Sequence, residues 1–430
     1  MAAPQVTTTA TETDDPLSAD EPDEPTGGTV TTESDGPRAP EAKRAWRLAM
    51  VKGTAAYLVS RVMVIAGSGI VAAQRGVDAN VNGVARPEGA QTFIVQVLDS
   101  WDGNWYMEIV RGGYPKEIPP HITYFQVEAR AAFFPLYPML VRLFDRVLPG
   151  SEVFAGIFVN ALLGLLAVLA VGWLAREVFG VKPAERTMIL MALFPGSFVL
   201  SFAYSEGLLI LLAALSLLFL YRRQWLLAGV VAALATATRP NGVAVAAACG
   251  VAALIAIWQD REWKALIAPL LAPLGFIAFQ WYLRVHTSED WAWFRVQREA
   301  WAEGTSFGAT ALQDTFGFLT HPLNSPTDVL TTTSLIAMFA LLFTAWKKRL
   351  PWPMVAYVVV VLALMLIPET VTARPRFVYT AFPLFLSAGA WWPDDDEASW
   401  AREGWTLLIA LCAAGLVTLT ALYGVYGAIP

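Results

Sequence analysis

Charged residues are scarce in this 430-residue chain. Asp, Glu, Lys and Arg together make up 15% of it, whereas a typical soluble domain carries about 25%. Hydrophobic residues make up 56%, and several apolar runs approach the roughly 20 residues that cross a bilayer. The composition excludes an ordinary soluble protein. It predicts an all-α polytopic membrane protein, because a helix satisfies its backbone polar groups internally.

Cysteine and histidine are also scarce, which excludes several kinds of site. Cys249 and Cys412 lie in apolar runs, where a thiol usually acts as a small core hydrophobe, so no disulfide framework or thiolate metal site is predicted. The three histidines, His121, His286 and His321, are dispersed without metal-ligand spacing. The role they suggest is a single phosphate contact, from His286 or His321.

The chain also has no Walker A, GxGxxG or HExxH motif. It therefore lacks the common nucleotide and zinc-protease signatures. No internal repeat is visible. We predict no cofactor, and whether a divalent metal binds is left open.

The acidic net charge belongs to the N-terminal segment. Residues 1–41 contain ten acids and one base, a net charge of −9, whereas the whole chain carries −6, so the remainder carries +3. A segment rich in Thr, Pro and Gly with few large apolar side chains cannot bury enough surface to offset its ordering entropy. We predict a disordered cytoplasmic tail at 1–41 and a membrane domain at 42–430. The mildly basic domain gives no case for nucleic-acid binding.

Eleven apolar spans are predicted in the membrane domain. They cover residues 48–73, 153–174, 187–202, 206–221, 224–238, 242–258, 265–284, 329–346, 352–368, 377–392 and 405–426. Lys43, Arg44 and Arg47 precede the first span, and basic residues concentrate on the cytoplasmic side, so the N-terminus is predicted inside. Every predicted inside loop then contains a Lys or Arg. Two large loops, 74–152 and 285–328, are predicted outside, and the first has a pattern typical of interfacial amphipathic helices.

Two acidic residues stand out in the first outside loop. Asp99 and Asp102 lie three residues apart between Leu98 and Tyr106, among three aromatic side chains. They share one face if this segment is a single helix. One reading is that a carboxylate here removes a proton from an acceptor hydroxyl, or binds a metal ion. The other is that one Asp caps a short helix and the aromatics belong to an interfacial belt.

Three later turns on the same predicted side carry further polar residues: Tyr204-Ser205-Glu206, Thr238-Arg239-Pro240-Asn241-Gly242 and Thr372-Ala373-Arg374-Pro375-Arg376. A guanidinium group can hold phosphate through two parallel hydrogen bonds, so Arg239, Arg374 and Arg376 are candidate phosphate ligands. Interfacial arginines that extend toward water are the alternative. Glu206 also suits a helix N-terminus, and Asn241 suits a helix start after a proline.

In this order the motifs resemble those of the PIG-V-like mannosyltransferases, a family with eukaryotic and bacterial members. The resemblance rests on the segments 98–103, 112–114, 133–138, 204–206, 238–242 and 376–377, and it covers most of residues 45–430. The alanine- and tryptophan-rich composition points to an actinobacterial source. The resemblance implies a GT-C glycosyltransferase fold, here with about eleven membrane helices and a long first extracytoplasmic loop that contains interfacial helices.

The resemblance also implies an activity. Such enzymes take a sugar from a polyprenyl-phosphate donor and invert its anomeric centre. Trp101-Asp102 matches the family's Trp-Asp pair, which favours Asp102 as the base and ranks Asp99 second. Arg376 matches the family's late arginine. Eukaryotic members have a serine in place of Pro240, so no exact role for Arg239 is carried over.

The expected function is therefore a multi-pass mannosyltransferase of the plasma membrane. It would transfer mannose from polyprenyl-phosphate mannose to a glycolipid, lipoglycan or protein acceptor on the extracytoplasmic side. The expected substrate contacts are Trp101, Trp105, Tyr137, Tyr204, Glu206, Arg239, Asn241, His286, His321, Arg374 and Arg376, with the first three as candidates for sugar stacking. A transporter or flippase of a lipid-linked sugar is the alternative, although paired repeats typical of many transporters are missing.

Overall fold

The computed structural model of this chain describes residues 39–83, 89–322 and 324–429. Most of the predicted acidic tail lies outside the described residues, and its last three residues, 39–41, are helical. Residues 43 onward form one unit.

Within the described residues the chain is almost entirely helical. Its α-helices are α1 (Ala39–Val81), α2 (Ala90–Leu98), α3 (Asp102–Gly112), α4 (Leu136–Asp145), α5 (Glu152–Phe179), α6 (Val181–Leu193), α7 (Glu206–Tyr221), α8 (Trp225–Thr236), α9 (Val243–Asp260), α10 (Ile267–Leu271), α11 (Leu274–Thr287), α12 (Ala292–Ala300), α13 (Ala309–Thr320), α14 (Pro326–Lys348), α15 (Trp352–Leu366), α16 (Pro375–Thr380), α17 (Pro383–Trp391) and α18 (Ala401–Gly424). Short 3-10 helices cover Val127–Ala132, Pro195–Leu200, Pro240–Gly242 and Trp263–Leu266.

The all-α membrane architecture is confirmed, and each of the eleven predicted spans overlaps one or more helices. Among the described residues, six helical segments are long and apolar enough to cross a membrane: Pro40–Ala79, Glu152–Phe179, Pro240–Asp260, Trp263–Thr287, Pro326–Lys348 and Ala401–Gly424. Helices α7, α8 and α15 are apolar but shorter. Two predicted spans, 187–202 and 377–392, are each broken into two short helices at a proline, because proline cannot continue the backbone ladder.

Ion pairs join loops that were predicted to share the inner side. These pairs are Lys52–Glu185 at 2.6 Å, Lys182–Asp394 at 2.8 Å, Arg186–Asp394 at 2.6 Å, Arg222–Glu177 at 2.7 Å and Arg223–Asp260 at 2.5 Å. The partners come from the start of α1 and from the loops around residues 180, 222, 260 and 394. The structure therefore collects these loops at one end of the helix bundle, as the charge pattern predicts.

The break after α6 is held by a buried arginine. Arg61 of α1 donates to the carbonyl oxygen of Ser197 at 2.9 Å and to the hydroxyl of Ser201 at 2.8 Å. From α5, the amide of Asn160 donates to the carbonyl oxygens of Val199 and Phe202 at 2.6 and 2.7 Å. Backbone groups left free by a helix break must find partners, and these two side chains supply them.

The same break lets α16 approach closely. A Cβ on Gly196 would collide with the carbonyl oxygen of Pro375, so only glycine fits at this crossing. The hydroxyl of Tyr379, on α16, donates to the carbonyl oxygen of Met191 at 2.9 Å. The irregular segment after α6 therefore fixes the start of α16, which carries Arg376.

The two large loops pack on each other through a hydrophobic cluster that is separate from the main core of the helix bundle. Phe134 from the first loop contacts the ring of Phe279 at 4.5 Å between centroids, and both belong to a cluster that includes Val296 of α12. The indole N–H of Trp293 donates to the carbonyl oxygen of Ala132 at 2.9 Å. Residues 114–134 thus pack against α11 and against α12.

We expect Arg61→Leu to lower the free energy of unfolding by about 2 kcal/mol, because it leaves buried carbonyl and hydroxyl groups without a donor. Thermal unfolding in detergent measures this. The matched control is Lys52→Met in the same helix, which removes an exposed ion pair whose usual value is about 1 kcal/mol or less. Equal midpoints for the two variants would contradict the prediction.

Candidate active site

Asp102 is the first residue of α3, and Asp99 follows the last residue of α2. The prediction that the two carboxylates share one helical face is therefore wrong. The chain turns between them because Trp101 has a φ of 61°. The carbonyl oxygen of Leu98 accepts from the N–H of Ala203 at 2.8 Å. This bond ties the turn to the segment that carries Glu206, and the N-terminal position of Asp102 favours a negative charge.

Trp101 has a backbone conformation that residues other than glycine rarely adopt, so contacts with neighbouring groups must stabilise it. Its indole N–H donates to the carbonyl oxygen of Tyr423 at 3.0 Å, and its ring lies 5.1 Å from that of Tyr426. The last turn of α18 and the segment after it thereby fix the direction in which α3 starts. The orientation of the Asp102 carboxylate depends on this contact.

Asp102 belongs to a cluster of four charged side chains that come from four separate segments. Its Oδ2 lies 2.8 Å from Nη1 of Arg376 and 3.4 Å from Nη2 of Arg239. Glu206, whose side chain is 1% exposed, places Oε2 2.7 Å from Nη1 of Arg239 and Oε1 3.9 Å from Nη1 of Arg376. Two carboxylates and two guanidinium groups balance in charge, which makes their shared burial tolerable.

Tyr106 and Ser205 extend this cluster. The hydroxyl groups of Tyr106 and Ser205 lie 2.6 Å apart, and Arg239 donates to the Ser205 hydroxyl at 3.3 Å. Neither residue was selected individually from the sequence. The available signal was position, because Tyr106 follows Asp102 by four residues on α3 and therefore lies on the same face.

The surroundings set the charge on Asp102. Burial by itself would raise its pKa, but Arg376 and Arg239 outweigh that effect and hold the pKa below the ordinary value of an aspartate. Burial likewise opposes the charge on Arg376, and Asp102 outweighs it and raises the pKa of that guanidinium. The carboxylate is ionised and bound to its arginines, so its oxygen is a weak base in this arrangement.

A cavity of about 610 Å³ opens beside the cluster, a size typical of small-molecule sites. Asp102, Arg239, Asn241 and Arg376 provide polar groups in its wall. The aromatic lining is Trp101, Trp105, Tyr106, Tyr124, Phe133, Phe134, Trp301 and Phe377. Of the predicted substrate contacts, the structure thus brings Trp101, Trp105, Arg239, Asn241 and Arg376 to one cavity with Asp102.

Two predicted contacts support the cavity without lining it. Tyr137 is completely buried, donates to the carbonyl oxygen of Gly156 at 2.9 Å and packs edge-on against Tyr106. Its predicted place beside a sugar is not what the structure shows, because no face of its ring is free. Tyr204 is also fully buried, and the Arg376 guanidinium lies 6.0 Å from its ring centroid.

Three other predicted contacts lie apart from the cavity. Arg374 donates to Thr331 Oγ1 at 2.6 Å and to the carbonyl oxygen of Ile429 at 3.2 Å, so it anchors the C-terminal segment. His286 stacks on Tyr282 at 5.1 Å. His321 is exposed beside Thr320. These residues were predicted to lie near the site because the topology places them on the same side of the membrane as the site. A shared side of the membrane does not determine where a residue lies within the membrane plane.

Asp99 also lies outside the cavity lining. It is buried, and its Oδ1 has no hydrogen-bond partner among the described residues. Burial raises the pKa of Asp99 to about 7, although Arg111 acts in the opposite direction. In the described part of the chain no three Asp, Glu, His or Cys side chains are grouped as metal ligands.

A protein-family comparison matches residues 132–283 to a family described as dolichyl-phosphate-mannose-protein mannosyltransferase. The matched segment contains Glu206 and Arg239, and it leaves Asp102 and Arg376 outside. No curated protein matches the chain.

Solved structures with a similar fold include two of ArnT from Cupriavidus metallidurans. The one bound to undecaprenyl phosphate has 13% identity and a TM-score of 0.47, over 78% of this chain and 77% of that chain. The apo form has 15% identity and a TM-score of 0.48, over 77% and 71%. The Archaeoglobus fulgidus oligosaccharyltransferase AglB, in complex with an inhibitory peptide and a dolichol-phosphate, has 15% identity and a TM-score of 0.43, over 86% and 56%.

The raised pKa of Asp99 predicts a pH-dependent stability. Between about pH 4 and pH 7 the folded protein keeps a proton on Asp99 that the unfolded chain has released. The free energy of unfolding therefore falls as the pH rises through this range. Asp99→Asn should remove that slope and stabilise the protein at pH 8 by up to about 4 kcal/mol.

Thermal unfolding at several pH values checks this prediction. Asp290→Asn serves as the control, because it changes an exposed carboxylate and should retain the slope. An Asp99→Asn variant with the same pH profile as the unmodified protein would refute it.

Proposed function

We propose that this chain is a GT-C glycosyltransferase related to the PIG-V-like mannosyltransferases, and that it transfers mannose from polyprenyl-phosphate mannose to a hydroxyl acceptor. The observation that carries the proposal is the Asp102 carboxylate, held by Arg376 and Arg239 in the wall of a 610 Å³ cavity. A base beside two cations suits a reaction that deprotonates one oxygen and releases a phosphate. The family description matched at residues 132–283 supports the same chemistry.

Substrate binding can activate the base. A donor phosphate that binds Arg376 and Arg239 competes with Asp102 for the same N–H groups. Asp102 then loses its cationic partners and gains an anionic neighbour, and both changes raise its pKa. The carboxylate becomes a stronger base only when the donor is in place. Glu206 stays paired with Arg239 and keeps that guanidinium oriented.

The reaction then proceeds by displacement. Oδ2 of Asp102 takes the proton of the acceptor hydroxyl, and the acceptor oxygen forms a bond to the anomeric carbon. The bond between that carbon and the phosphate oxygen breaks, and the polyprenyl phosphate leaves with the electron pair. Arg376 and Arg239 stabilise the additional negative charge on the phosphate. Attack opposite to the leaving group inverts the anomeric centre.

We also propose where the enzyme lies in the cell and which classes of acceptor it uses. The enzyme spans the plasma membrane with its N-terminus in the cytoplasm and its cavity on the extracytoplasmic side. The separation of the basic loops from the Asp102 cluster, at opposite ends of the bundle, supports this orientation because basic loops face the cytoplasm. The acceptor is a glycolipid, a lipoglycan or a protein hydroxyl.

Asp102→Asn should lower the rate of transfer by about 10²–10⁴-fold, the usual contribution of a general base. The measurement is consumption of radiolabelled polyprenyl-phosphate mannose by purified protein with a membrane-lipid extract. Asp290→Asn, an exposed change in the second large loop, should keep full activity. Undiminished turnover in Asp102→Asn would remove the base assignment. Movement of the lipid across vesicles without consumption by the unmodified protein would favour a flippase instead.

Arg376→Gln should weaken binding of polyprenyl phosphate by about 10-fold or more, because it removes a charge-assisted hydrogen bond. Arg374→Gln is the matched control, since Arg374 bonds to Thr331 and Ile429 and not to the Asp102 cluster. Both affinities can be measured by thermophoresis in detergent. Equal losses in the two variants would contradict a phosphate site at Arg376.

A further inference from the structure

The second large loop supplies a separate part of the cavity wall that the sequence did not single out. Gln297 of α12 and the segment Trp301–Glu303 line the cavity, together with Thr370 from the loop before α16. None of these residues takes part in the bond-making and bond-breaking steps of the proposed reaction. Their chemistry differs from that of the arginine cluster, because the charge here is negative.

Aromatic rings connect this wall to the catalytic carboxylate. Trp105 follows Asp102 by three residues on α3 and so lies on the same face. Its ring is 5.4 Å from the Trp301 ring and 5.4 Å from the Tyr124 ring, and Tyr124 lies 4.6 Å from Trp301. All three rings line the cavity. Aromatic rings give a flat apolar surface that suits the C–H face of a sugar ring.

Polar groups beside these rings retain hydrogen-bonding capacity. The Glu303 carboxylate accepts from the Thr370 hydroxyl at 3.1 Å, and an ionised carboxylate can accept several more hydrogen bonds. Gln297 and Asn241, whose side chains carry amide groups, also line the cavity. A carboxylate and two amides next to a ring surface match the hydroxyl-rich edge of a sugar.

Backbone bonds hold Glu303 in place. Its N–H donates to the carbonyl oxygen of Gln297 at 3.3 Å. On the other side, the carbonyl oxygen of Gly304 accepts from the N–H of Glu369 at 3.1 Å, and the N–H of Ser306 donates to the carbonyl oxygen of Ile367 at 2.8 Å. The loop is therefore fixed to the segment before α16, and the carboxylate is pre-positioned for a ligand.

We infer that Trp301, Glu303 and Gln297 form the subsite that recognises the transferred hexose. The Glu303 carboxylate accepts hydrogen bonds from the hydroxyl groups of that sugar. The inference rests on the proposed function and adds the sugar-specific part of the site. The negative charge of Glu303 disfavours the donor phosphate here, so the phosphate goes to Arg376 and Arg239 and the sugar ring extends past Trp105. The hydroxyls donate to the carboxylate, and no bond is made or broken at this subsite.

The test compares two lipids that differ only in the sugar. Affinities of polyprenyl-phosphate mannose and polyprenyl phosphate are measured for the full-length protein in detergent, and their ratio gives the contribution of the sugar. Glu303→Gln and Trp301→Ala should each reduce this ratio by about tenfold, with an unchanged affinity for polyprenyl phosphate. Trp301→Phe should restore most of it, because the ring surface is kept.

Glu117→Gln is the matched control, because it makes the same change at an exposed carboxylate of the first large loop that does not line the cavity. Its ratio should equal that of the unmodified protein. An unchanged ratio in Glu303→Gln, or an equal loss for both lipids, would overturn the sugar subsite while leaving the proposed function intact. If the unmodified protein binds neither lipid, the proposed function itself fails and the subsite fails with it.

Discussion

Burying a charge in an apolar protein is costly unless the charge is paired or hydrogen-bonded, and Asp102 and Glu206 meet that requirement by pairing with Arg239 and Arg376. The four side chains come from the starts of α3, α7 and α16 and from the turn before α9. Each of these elements must therefore reach the same point. The break after α6, the close approach at Gly196 and the bonds of Arg61 and Asn160 bring them there. The polar network thus dictates where the helices must be irregular.

The same pairing connects stability to function. A carboxylate held by two guanidinium groups is stable but weakly basic, and a phosphate that takes those groups makes it more basic. In the proposed reaction, stability and reactivity are thereby separated in time, since the base is released only when the donor occupies the cavity. The two carboxylates and two guanidinium groups balance before the donor binds, and the donor phosphate adds one negative charge. That excess negative charge favours transfer of a proton to Asp102.

Much of this organisation could be predicted from the sequence, because it depends on local signals. Hydropathy predicted the helices, and the basic residues assigned each loop to one side of the membrane. The motifs then placed Asp102, Glu206, Arg239 and Arg376 at the same end of the helix bundle. Lateral position depends on packing between distant segments, which hydropathy does not encode. For that reason Tyr137, Arg374 and the histidines were grouped with the site although the structure places them elsewhere. Glu303 and Trp301 were missed because they lie just after α12, outside every segment that carries the family resemblance.

Helix α7 has 16 residues, which corresponds to about 24 Å, against a hydrocarbon layer of about 30 Å. A helix that starts at Glu206 therefore begins some way below the lipid head groups if its other end reaches the opposite surface. The polar cluster then forms the floor of a shallow well in the bilayer. In the proposed reaction the lipid-linked donor reaches this well sideways from the surrounding leaflet. A glycolipid acceptor would enter by the same lateral route, whereas a protein acceptor would enter from the water above. The class of acceptor therefore decides whether the two substrates share one entrance or use two.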